Sequence, residues 1–409
     1  MIYSSVPNHP SVATTTGIQA AEGGCVSKIA VTKGTLRIPP TYFAVQHALE
    51  LAEEFDFELF TMVAEIGDAA IARRMVINDA SAGTWFASDR QTWARRERAL
   101  PLLFRRTARQ ITAWRPALVH QHFANWSQPA VAAAQTAGVP LLLTLHGSDV
   151  FLPLTPLGET KAIRRPLLRW HQNTVRRAFG AAQRMLAVSE YLADAAVRAG
   201  ADHRRVEVHY QGIDTDLFRP APRPDQGVPT VVFVGALSQA KGVRDLITAS
   251  VSLRKTTEHE LVIVGDGPLR GEVDRAAELN GHIDVRGPQN SEGVRAALNE
   301  ATVFVLPTQR YGQWREAAGL VSLEAQACGV PAIVYDSGGA AEMVDDGSTG
   351  LVVPEGDIPA LTDAMRSVLE LPHSEWQAMS ARAREFVVTQ RSLRESARRL
   401  SAHYRDLIT

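Results

Sequence analysis

Two carboxylates eight positions apart, Glu316 and Glu324, are the residues whose types and spacing most directly suggest chemistry. They flank a small apolar stretch in REAAGLVSLEAQACGVPAIV, residues 315–334. On one continuous helix they would lie about 12 Å apart along the axis and roughly 80° apart around it, so a small ligand could not meet both in the same way. Gly319 between them can open a helix, which predicts Glu316 on a loop and Glu324 in the first or second turn of a helix over 320–328.

A helix that starts between the two acids would offer free N–H groups, which suit phosphate, whereas carboxylates accept hydrogen bonds from sugar hydroxyls. A ligand made of a sugar, a diphosphate and a ribose would use both acids and the helix end between them. The alternative is that both are ordinary surface acids and that Glu324 only complements the helix dipole.

A second candidate lies in VVFVGALSQAKGVRDLI, where Gly235 follows a hydrophobic run and Lys241 precedes a helical stretch. A glycine turn that opens a helix directs N–H groups at an anion, and a lysine there adds a charge suited to phosphate. The alternative is a capping glycine beside a solvated lysine. The segment VIVGDGPLRG does not form a dinucleotide fingerprint, because Gly265, Gly267 and Gly271 are spaced one residue too widely.

Short hydrophobic, β-branched runs alternate with helical patterns along most of the chain, which is typical of parallel sheets buried on both faces. The predicted strands cover 28–33, 57–64, 117–123, 140–147, 185–190, 206–213, 230–237, 260–267, 301–308 and 331–337. Helices between them predict an α/β fold of two doubly wound sheets, whose ligands bind beyond the carboxyl ends of the strands. The predicted parts are a flexible leader (1–26), an N-terminal domain (27–218), a Pro-rich linker (219–229) and a C-terminal domain (230–385).

Composition narrows the function classes. The 409 residues suit two domains, and 43 Lys and Arg against 44 Asp and Glu give a net charge of −1, which does not favour nucleic acid as a partner. The two cysteines, Cys25 and Cys328, have no metal or redox spacing and fit a reducing cytoplasm. No apolar run reaches the roughly eighteen residues of a membrane span. We therefore expect a cytoplasmic protein.

Taken in order, the motifs resemble a known family. They are the E-x7-E pair, AQACGVPAIV, SGGAAEMVDDGSTGLVVP, GALSQAKG, VSEYLADAAVRAGADHRRVEVHYQGIDTDLFRP and LTLHGSDV. From about residue 27 to the end, the sequence resembles the retaining glycosyltransferases of family 4, which have the GT-B fold. The resemblance implies two Rossmann-like domains that face each other across a cleft, with a C-terminal helix, about 386–409, that crosses back to the first domain.

The resemblance also implies residue roles. Glu324 would hold the ribose hydroxyls of a nucleotide, and Glu316 the hydroxyls of the donor sugar. Lys241 would neutralise the phosphates, and His146 would lie across the cleft by the reacting sugar. The other implied donor-binding residues are Gly235, Ala318, Gly319, Leu320, Val321, Arg286 and Gly287. The acceptor-side candidates are Gly34, Thr35, Thr41 and His122.

Two departures from the family pattern concern these sites. The family usually has an arginine after the strand glycine, where this chain has Ala236. Either Arg244, Arg310 or Arg315 replaces that cation, or donor binding is weak. The glycine pair common after the first strand is also absent, and KGTLRIPPTYF (33–43) stands there. The family pattern therefore does not identify the acceptor loop in this chain.

The implied reaction is retaining transfer of a sugar from a nucleotide-diphosphate sugar, with UDP as the first expectation, to an acceptor hydroxyl. The acceptor would be a carbohydrate, a lipid-linked sugar or a small molecule in polysaccharide, glycolipid or natural-product biosynthesis. No cofactor or metal is expected. Asp214 and Asp216, in the segment DTD beside the linker, are interpreted as turn-forming residues and not as metal ligands. The basic amphipathic stretch 92–114 is a candidate for peripheral contact with anionic lipid, the alternative being a solvated arginine face.

Three rival functions use parts of the same pattern. A glycosidase also needs two carboxylates, but no nucleotide donor. A dinucleotide oxidoreductase needs the fingerprint that fails at Gly265–Gly271. A non-catalytic protein of the same fold, which binds a sugar nucleotide or a partner subunit, is favoured by Ala236 and opposed by the presence of Glu316, Glu324, Lys241 and His146 together. The oligomeric state is not predicted.

Overall fold

The computed structural model describes residues 26–38, 43–84, 93–159, 162–222 and 227–409. The predicted leader up to residue 25, the acceptor-side candidate Thr41 and residues 223–226 of the predicted linker lie outside this described part. The limits predicted for the domains stay a prediction.

The first sheet has seven parallel strands in the order β3-β2-β1-β4-β5-β6-β7. These are β1 (Lys28–Ile38), β2 (Asp56–Ile66), β3 (Val76–Asp79), β4 (Leu118–His122), β5 (Leu141–Leu145), β6 (Arg184–Ala187) and β7 (Val206–Val208). The helices that follow its strands are α1 (Phe43–Glu50), α2 (Ala69–Arg74), α3 (Trp93–Trp114), α4 (Gln128–Ala137), α5 (Ser148–Leu154), α6 (Arg165–Ala181) and α7 (Glu190–Arg198).

The second sheet has six parallel strands in the order β10-β9-β8-β11-β12-β13. These are β8 (Thr230–Val234), β9 (Glu260–Val264), β10 (Ile283–Gly287), β11 (Val303–Leu306), β12 (Ala332–Tyr335) and β13 (Gly350–Val353). The helices around it are α8 (Val243–Leu253), α9 (Arg270–Leu279), α10 (Ser291–Glu300), α11 (Leu320–Ala327), α12 (Ile358–Leu369) and α13 (His373–Gln390), and the last helix is α14 (Leu393–Ile408).

Both sheets reverse their strand order beside the first strand, between β1 and β4 and between β8 and β11. Loops that follow the strands at such a switch point open a crevice for ligands. This topology confirms the prediction of two doubly wound, Rossmann-like domains. The strand cores are near-continuous Val, Ile, Leu and Phe and are buried on both faces, as helices on either side of a parallel sheet require.

The C-terminal helix returns to the first domain, as expected, but the crossing point differs. Helix α13 continues on the second domain to Gln390, and the chain crosses at Ser392, which bridges to Ile213. Helix α14 then packs on α1, and its buried Tyr404 hydroxyl lies 2.6 Å from Nδ1 of His120. A helical pattern that covers α13 and α14 without Gly or Pro gave no sign of this break.

Strand β1 runs to Ile38, beyond its predicted end at residue 33, and Thr35–Ile38 pair with Val63–Ile66 of β2. The extra residues alternate, because Leu36 and Ile38 are buried while Thr35 and Arg37 face the other side. Gly34 lies inside the strand rather than at its end. Its missing side chain makes room for Trp126, because a Cβ at position 34 would overlap the Cβ of Trp126.

Candidate active site

Lys241 is placed by a turn that requires glycine. The 3-10 turn Gln239–Lys241 is followed by Gly242 at φ +66°, where a Cβ would overlap the carbonyl oxygen of Pro307 after β11. This close approach brings the Lys241 ammonium into an ion pair with Glu316, and the two side chains are only 22% and 12% exposed. The pair joins the turn after β8 to the loop after β11.

The two acids of the E-x7-E pattern do not share a helix. Gly319 has φ +67°, a left-handed conformation that glycine adopts without strain, and α11 begins at the next residue. Glu316 therefore lies on the loop, whereas Glu324 lies in the second helical turn. No side chain caps the start of α11, which leaves the first N–H groups, at Leu320 and Val321, for another acceptor.

Glu324 is half-buried and lines a cavity of about 450 Å³ between the domains. The lining includes Leu320 from the second domain and Phe43 and Gln211 from the first. Within the described chain, the Glu324 carboxylate has no hydrogen-bond or ion-pair partner, and desolvation raises its pKa to about 8. A carboxyl group in this position gains from any ligand that donates hydrogen bonds to it.

His146 follows β5 in a turn that a buried carboxylate holds together. Asp149 is fully buried, and its oxygens accept the N–H groups of His146, Gly147 and Ala124 at 3.1, 2.9 and 3.0 Å. Desolvation raises the pKa of Asp149 to about 6, although the three N–H groups oppose the shift. The backbone of the His146 turn is thus fixed before any ligand binds.

The His146 ring is fixed as well. It packs between Phe43 and Phe123, with ring centroids 4.4 and 4.5 Å away. The amide nitrogen of Gln211 donates to its Nδ1 at 3.3 Å, so the proton is on Nε2, which lies 3.0 Å from Nδ1 of His122. Burial, and repulsion from nearby cations, hold the pKa of His146 well below its usual value, so the ring is neutral.

The two halves of the site meet across the cleft. Gly147 has φ +115°, and a Cβ there would lie 3.2 Å from Cβ of Ala317. Because Gly147 follows His146 and Ala317 follows Glu316, this close approach brings the turn of His146 next to the loop of Glu316. The structure brings Lys241, Glu316 and His146 together at one place between the domains, with the start of α11 beside them.

The other predicted donor-side residues have different environments. Gly235 is buried and donates its N–H to the Val264 carbonyl at 3.0 Å. Arg286 and Gly287 are the last two residues of β10, and the guanidinium of Arg286 is held by Asp284 and Glu300, both at 2.7 Å. Ala318 is buried two residues before the start of α11.

The candidates to replace the missing arginine at Ala236 can be separated. Both nitrogens of the Arg244 guanidinium edge are held by Glu272, at 2.7 and 2.8 Å. In contrast, Arg310 and Arg315 direct guanidinium N–H groups at the Gly312 carbonyl of the donor loop, at 3.3 and 3.4 Å. Within the described residues, Arg244 forms an ion pair with Glu272, whereas no ion pair is formed by Arg310 or Arg315.

The acceptor-side candidates lie behind the site or beside it. His122 is buried and supports His146, so it would act on an acceptor only through that ring. Gly34 packs against Trp126, and Thr35 lies in β1, where its carbonyl accepts the Lys33 ammonium. Desolvation, helped by Arg37, lowers the pKa of Lys33 to about 8.

Three residues that shape the site were missed from the sequence. Asp149 stands three residues after His146 in the quoted LTLHGSDV, a spacing at which a carboxylate can accept the N–H groups of its own turn, and this signal could have found it. Phe123, at φ +64°, and Gln211 gave no such signal, because their contacts with His146 depend on how distant segments pack.

Two family models match the chain. Residues 43–217 match the model described as Glycosyltransferase Family 4, and residues 214–386 match the one described as Glycosyl transferases group 1. With two facing Rossmann-like domains and an uncapped helix start at the cleft, the fold and the matches define a GT-B glycosyltransferase that uses a nucleotide-sugar donor. The chain belongs to glycosyltransferase family 4.

Relatives of known activity cover about two thirds of the chain. It is 29% identical to the alpha-D-kanosaminyltransferase of Streptomyces kanamyceticus over 66% of this chain and 71% of that protein. It is 31% identical to the GDP-mannose-dependent alpha-(1-6)-phosphatidylinositol monomannoside mannosyltransferase of Mycobacterium tuberculosis over 63% of this chain and 67% of that protein.

Solved structures share the fold over nearly the whole chain. Sucrose-phosphate synthase from Thermosynechococcus elongatus superposes with a TM-score of 0.71 at 19% identity, covering 93% of this chain and 99% of that one. HepE from Anabaena, solved in complex with UDP, gives 0.70 at 18% identity, covering 93% and 100%.

Proposed function

We propose that this protein is a retaining glycosyltransferase that moves a sugar from a nucleotide-diphosphate sugar, most simply a UDP-sugar, to an acceptor hydroxyl. The observation that carries the proposal is the joint placement of Lys241, Glu316 and the start of α11 against the His146 turn. A cation and a helix start suited to phosphate, and a carboxylate suited to sugar hydroxyls, then lie within one cleft.

In this proposal the second domain holds the donor. Glu324 accepts the ribose hydroxyls inside the interdomain cavity, and the N–H groups of Leu320 and Val321 meet the diphosphate. Glu316 accepts the hydroxyls of the donor sugar, while Lys241 neutralises the phosphates. The absence of a side-chain cap on α11 supports this arrangement.

The proposed reaction breaks the bond between the anomeric carbon and the phosphate oxygen while the acceptor oxygen attacks from the same face. The acceptor proton passes to the leaving phosphate oxygen, so the products are a glycoside of retained configuration and a nucleoside diphosphate. Charge that builds on the leaving phosphate is stabilised by Lys241 and by the start of α11. Glu316 is not a nucleophile in this scheme, because its carboxylate is paired with Lys241.

His146 then acts by position rather than by proton transfer. Both of its ring nitrogens have partners, Gln211 on Nδ1 and His122 on Nε2. A neutral, fully engaged ring forms a fixed wall beside the donor sugar. The turn that carries it is set by Asp149, so a change at Asp149 would move His146 without touching a substrate.

We also propose that the reaction requires no metal ion. Asp214 of the DTD segment accepts the N–H groups of Asp216 and Leu217 at 3.0 and 2.9 Å, which is the geometry of a turn. Across the described residues there is no group of three or more His, Cys, Asp or Glu that could hold a metal ion. Lys241 and the helix start supply positive charge where such enzymes would otherwise use a cation. A strong loss of activity with a chelator, restored by manganese, would contradict this.

The acceptor is proposed to belong to polysaccharide, glycolipid or glycosylated natural-product assembly. Two relatives named above, the kanosaminyltransferase and the phosphatidylinositol mannoside mannosyltransferase, support this range of proposed acceptors. UDP as the nucleotide is supported by the HepE complex with UDP, whereas the mannosyltransferase uses GDP-mannose.

Contact of the stretch 92–114 with anionic lipid is a further part of the proposal. Helix α6 contains no Asp or Glu, and neither does α3 from Leu100 onward. Six exposed arginines on these two helices make no ion pair with any described residue: Arg105, Arg106, Arg109, Arg169, Arg176 and Arg177. Leu102 and Leu167 are 61% and 51% exposed on the same two helices. None of the helices described is long and apolar enough to cross a bilayer.

Thermal unfolding with UDP, GDP, ADP and their sugars tests the proposal, because a ligand that binds the folded state raises its melting temperature. The sugar nucleotide with the largest shift then serves as donor, and NMR follows the configuration of the sugar at its anomeric carbon. Retention supports the proposal, and inversion contradicts it.

A non-catalytic protein of the same fold is the second candidate, favoured by Ala236 in place of the family's arginine. It would show the melting shift with a sugar nucleotide but no cleavage of it. Cleavage that disappears in Glu316→Gln excludes this candidate.

A further inference from the structure

One short segment of the second domain touches both the donor loop and a helix of the first domain. Within 338–342, the Gly339 N–H donates to the carbonyl oxygen of Glu316 at 2.9 Å. Three residues later, the carboxylate of Glu342 accepts the first two N–H groups of α7, at 2.7 and 2.8 Å. The segment therefore links the loop that carries Glu316 to a helix start across the cleft.

The contact of Glu342 is charge-assisted on more than one side. Its carboxylate faces the positive end of α7, and the hydroxyl of Tyr210, also in the first domain, donates to the same carboxylate at 3.0 Å. The Tyr210 ring in turn lies against the guanidinium of Arg391, 3.8 Å from the ring centroid, where the chain crosses back. Glu342 thus joins two separate segments of the first domain to the second.

Ser189 makes the matching contact from the other side. Its hydroxyl accepts the N–H of Leu192 at 3.2 Å as the N-cap of α7 and donates to the carbonyl oxygen of Ala317 at 2.6 Å. There is no room for a side chain between these groups, because a Cβ at Gly339 would overlap the Ala317 carbonyl and lie 2.7 Å from Oγ of Ser189. The helix start, the donor loop and the glycine pair therefore pack as one unit.

We propose that Glu342 and Ser189 form an interdomain clasp that positions the donor loop for the transfer reaction. Glu342 holds the domains together at the cleft, and Ser189 fixes the Ala317 carbonyl and thereby the direction of Glu316. Both contacts run from one domain to the other, so they form only when the domains are closed. Closure of the cleft and placement of Glu316 are then a single event, and the inference rests on the proposed role of Glu316 as a ligand of the donor sugar.

The test compares Glu342→Gln and Ser189→Ala with a matched control, Asp346→Asn. Asp346 also accepts a backbone N–H, that of Val352 at 2.8 Å, but within the second domain. Small-angle X-ray scattering of the full chain, with and without UDP, reports the separation of the domains. Steady-state kinetics with the donor identified by thermal unfolding report kcat and KM separately.

We expect Glu342→Gln to increase the radius of gyration and to lower kcat/KM by roughly 10- to 100-fold, since the amide keeps one acceptor oxygen but turns an NH2 group toward a backbone N–H that the carboxylate accepts. Ser189→Ala should lower kcat more than it raises KM, because it frees the donor loop without removing a donor ligand. The double variant should be less impaired than the product of the two single effects, because both act through closure. Asp346→Asn should match the wild type in radius and in kinetics.

A wild-type radius of gyration in Glu342→Gln would overturn the clasp, whether or not activity falls, because the residue would then be only structural. A larger radius with unchanged kcat/KM would overturn the coupling of closure to the donor loop. If Glu342→Gln does not fold, Tyr210→Phe removes one of the three hydrogen bonds and is held to the same two criteria, with a smaller expected effect. Glu316→Gln separates this inference from the proposed function. Loss of activity there with a wild-type radius supports the donor site, whereas full activity there refutes the proposed function independently of the clasp.

Discussion

Replacing Glu324 by glutamine is expected to remove a pH dependence from nucleotide binding. In the folded protein, desolvation in the interdomain cavity raises the pKa of the Glu324 carboxyl from 4.5 to about 8, so the group is mostly neutral at pH 7. A ribose diol donates hydrogen bonds best to the ionised carboxylate, which only accepts. Binding therefore favours the ionised form and releases a proton below pH 8.

The size of the effect follows from that pKa. With a pKa of about 8, the ionised fraction rises from about one tenth at pH 7 to about nine tenths at pH 9. The affinity for a nucleoside diphosphate should rise in proportion, by roughly tenfold or about 1.4 kcal/mol, and then level off. Glutamine has no proton to lose in this range, so the Glu324→Gln variant should bind more weakly at pH 9 and show no such rise.

Isothermal titration calorimetry with UDP at pH 7, 8 and 9 measures both proteins. The ratio of their affinities isolates Glu324, because ionisation of the nucleotide itself affects both equally. The free energy of unfolding without ligand gives an independent check. A raised pKa in the folded state stabilises the fold below pH 4.5, and this stability is lost as the pH rises through about 8. Wild type should therefore lose more stability than Glu324→Gln between pH 6 and pH 9. Parallel affinity curves for the two proteins would refute the reasoning.

Three further predictions concern other parts of the site and surface. Lys241→Met removes the cation proposed to neutralise the phosphates and leaves Glu316 unpaired, so initial rates should fall by roughly 10²- to 10³-fold while circular dichroism stays unchanged. A near-wild-type rate would contradict the proposed role. Gly242→Ala should destabilise the protein by more than Gly347→Ala in denaturant unfolding, because both glycines have φ near +70° but only a Cβ at Gly242 meets the Pro307 carbonyl; equal losses would show that this contact does not matter. A triple variant on α3 and α6 should lose salt-sensitive co-sedimentation with anionic phosphatidylglycerol vesicles, whereas replacing three arginines elsewhere should have no effect. Wild-type binding by the α3 and α6 variant would contradict the lipid proposal. The triple variant is Arg105→Gln, Arg109→Gln and Arg169→Gln, and its control is Arg204→Gln, Arg366→Gln and Arg394→Gln.

Local sequence signals predicted the loop of Glu316 and the start of the helix that carries Glu324. Gly319 between two acids, followed by an apolar run, predicted the loop and the helix start at Leu320. The prediction succeeded because glycine adopts the left-handed conformation before a helix without strain. The alternation of hydrophobic runs with helical patterns predicted the parallel sheets, because residue type and period determine locally which residues are buried. The extension of β1 past Gly34 was missed, because the reason for that glycine is Trp126, a residue 92 positions away.

The surroundings of His146 depend on contacts that no local pattern encodes. His146 is placed by residues from other elements, and its partner Gln211 lies 65 positions away. The contact between Gly147 and Ala317 joins two domains and follows only from their closure. The family resemblance implied a role for His146, but its neutral ring with both nitrogens engaged follows only from the folded structure.

The two domains contribute opposite electrostatic properties to the cleft, and this difference explains why closure would matter for catalysis. On the first domain the histidine rings nearest the site are neutral, because burial lowers the pKa of both His122 and His146 well below its usual value. On the second domain Lys241 stays beside the position proposed for the phosphates, and the uncapped start of α11 adds positive potential. Bringing a neutral, apolar wall of Phe43, Phe123 and His146 against these charges would displace water and lower the local dielectric. The attraction between Lys241 and the charge that develops on the leaving phosphate then grows in inverse proportion to that dielectric, so an open cleft would bind a nucleotide but transfer its sugar slowly.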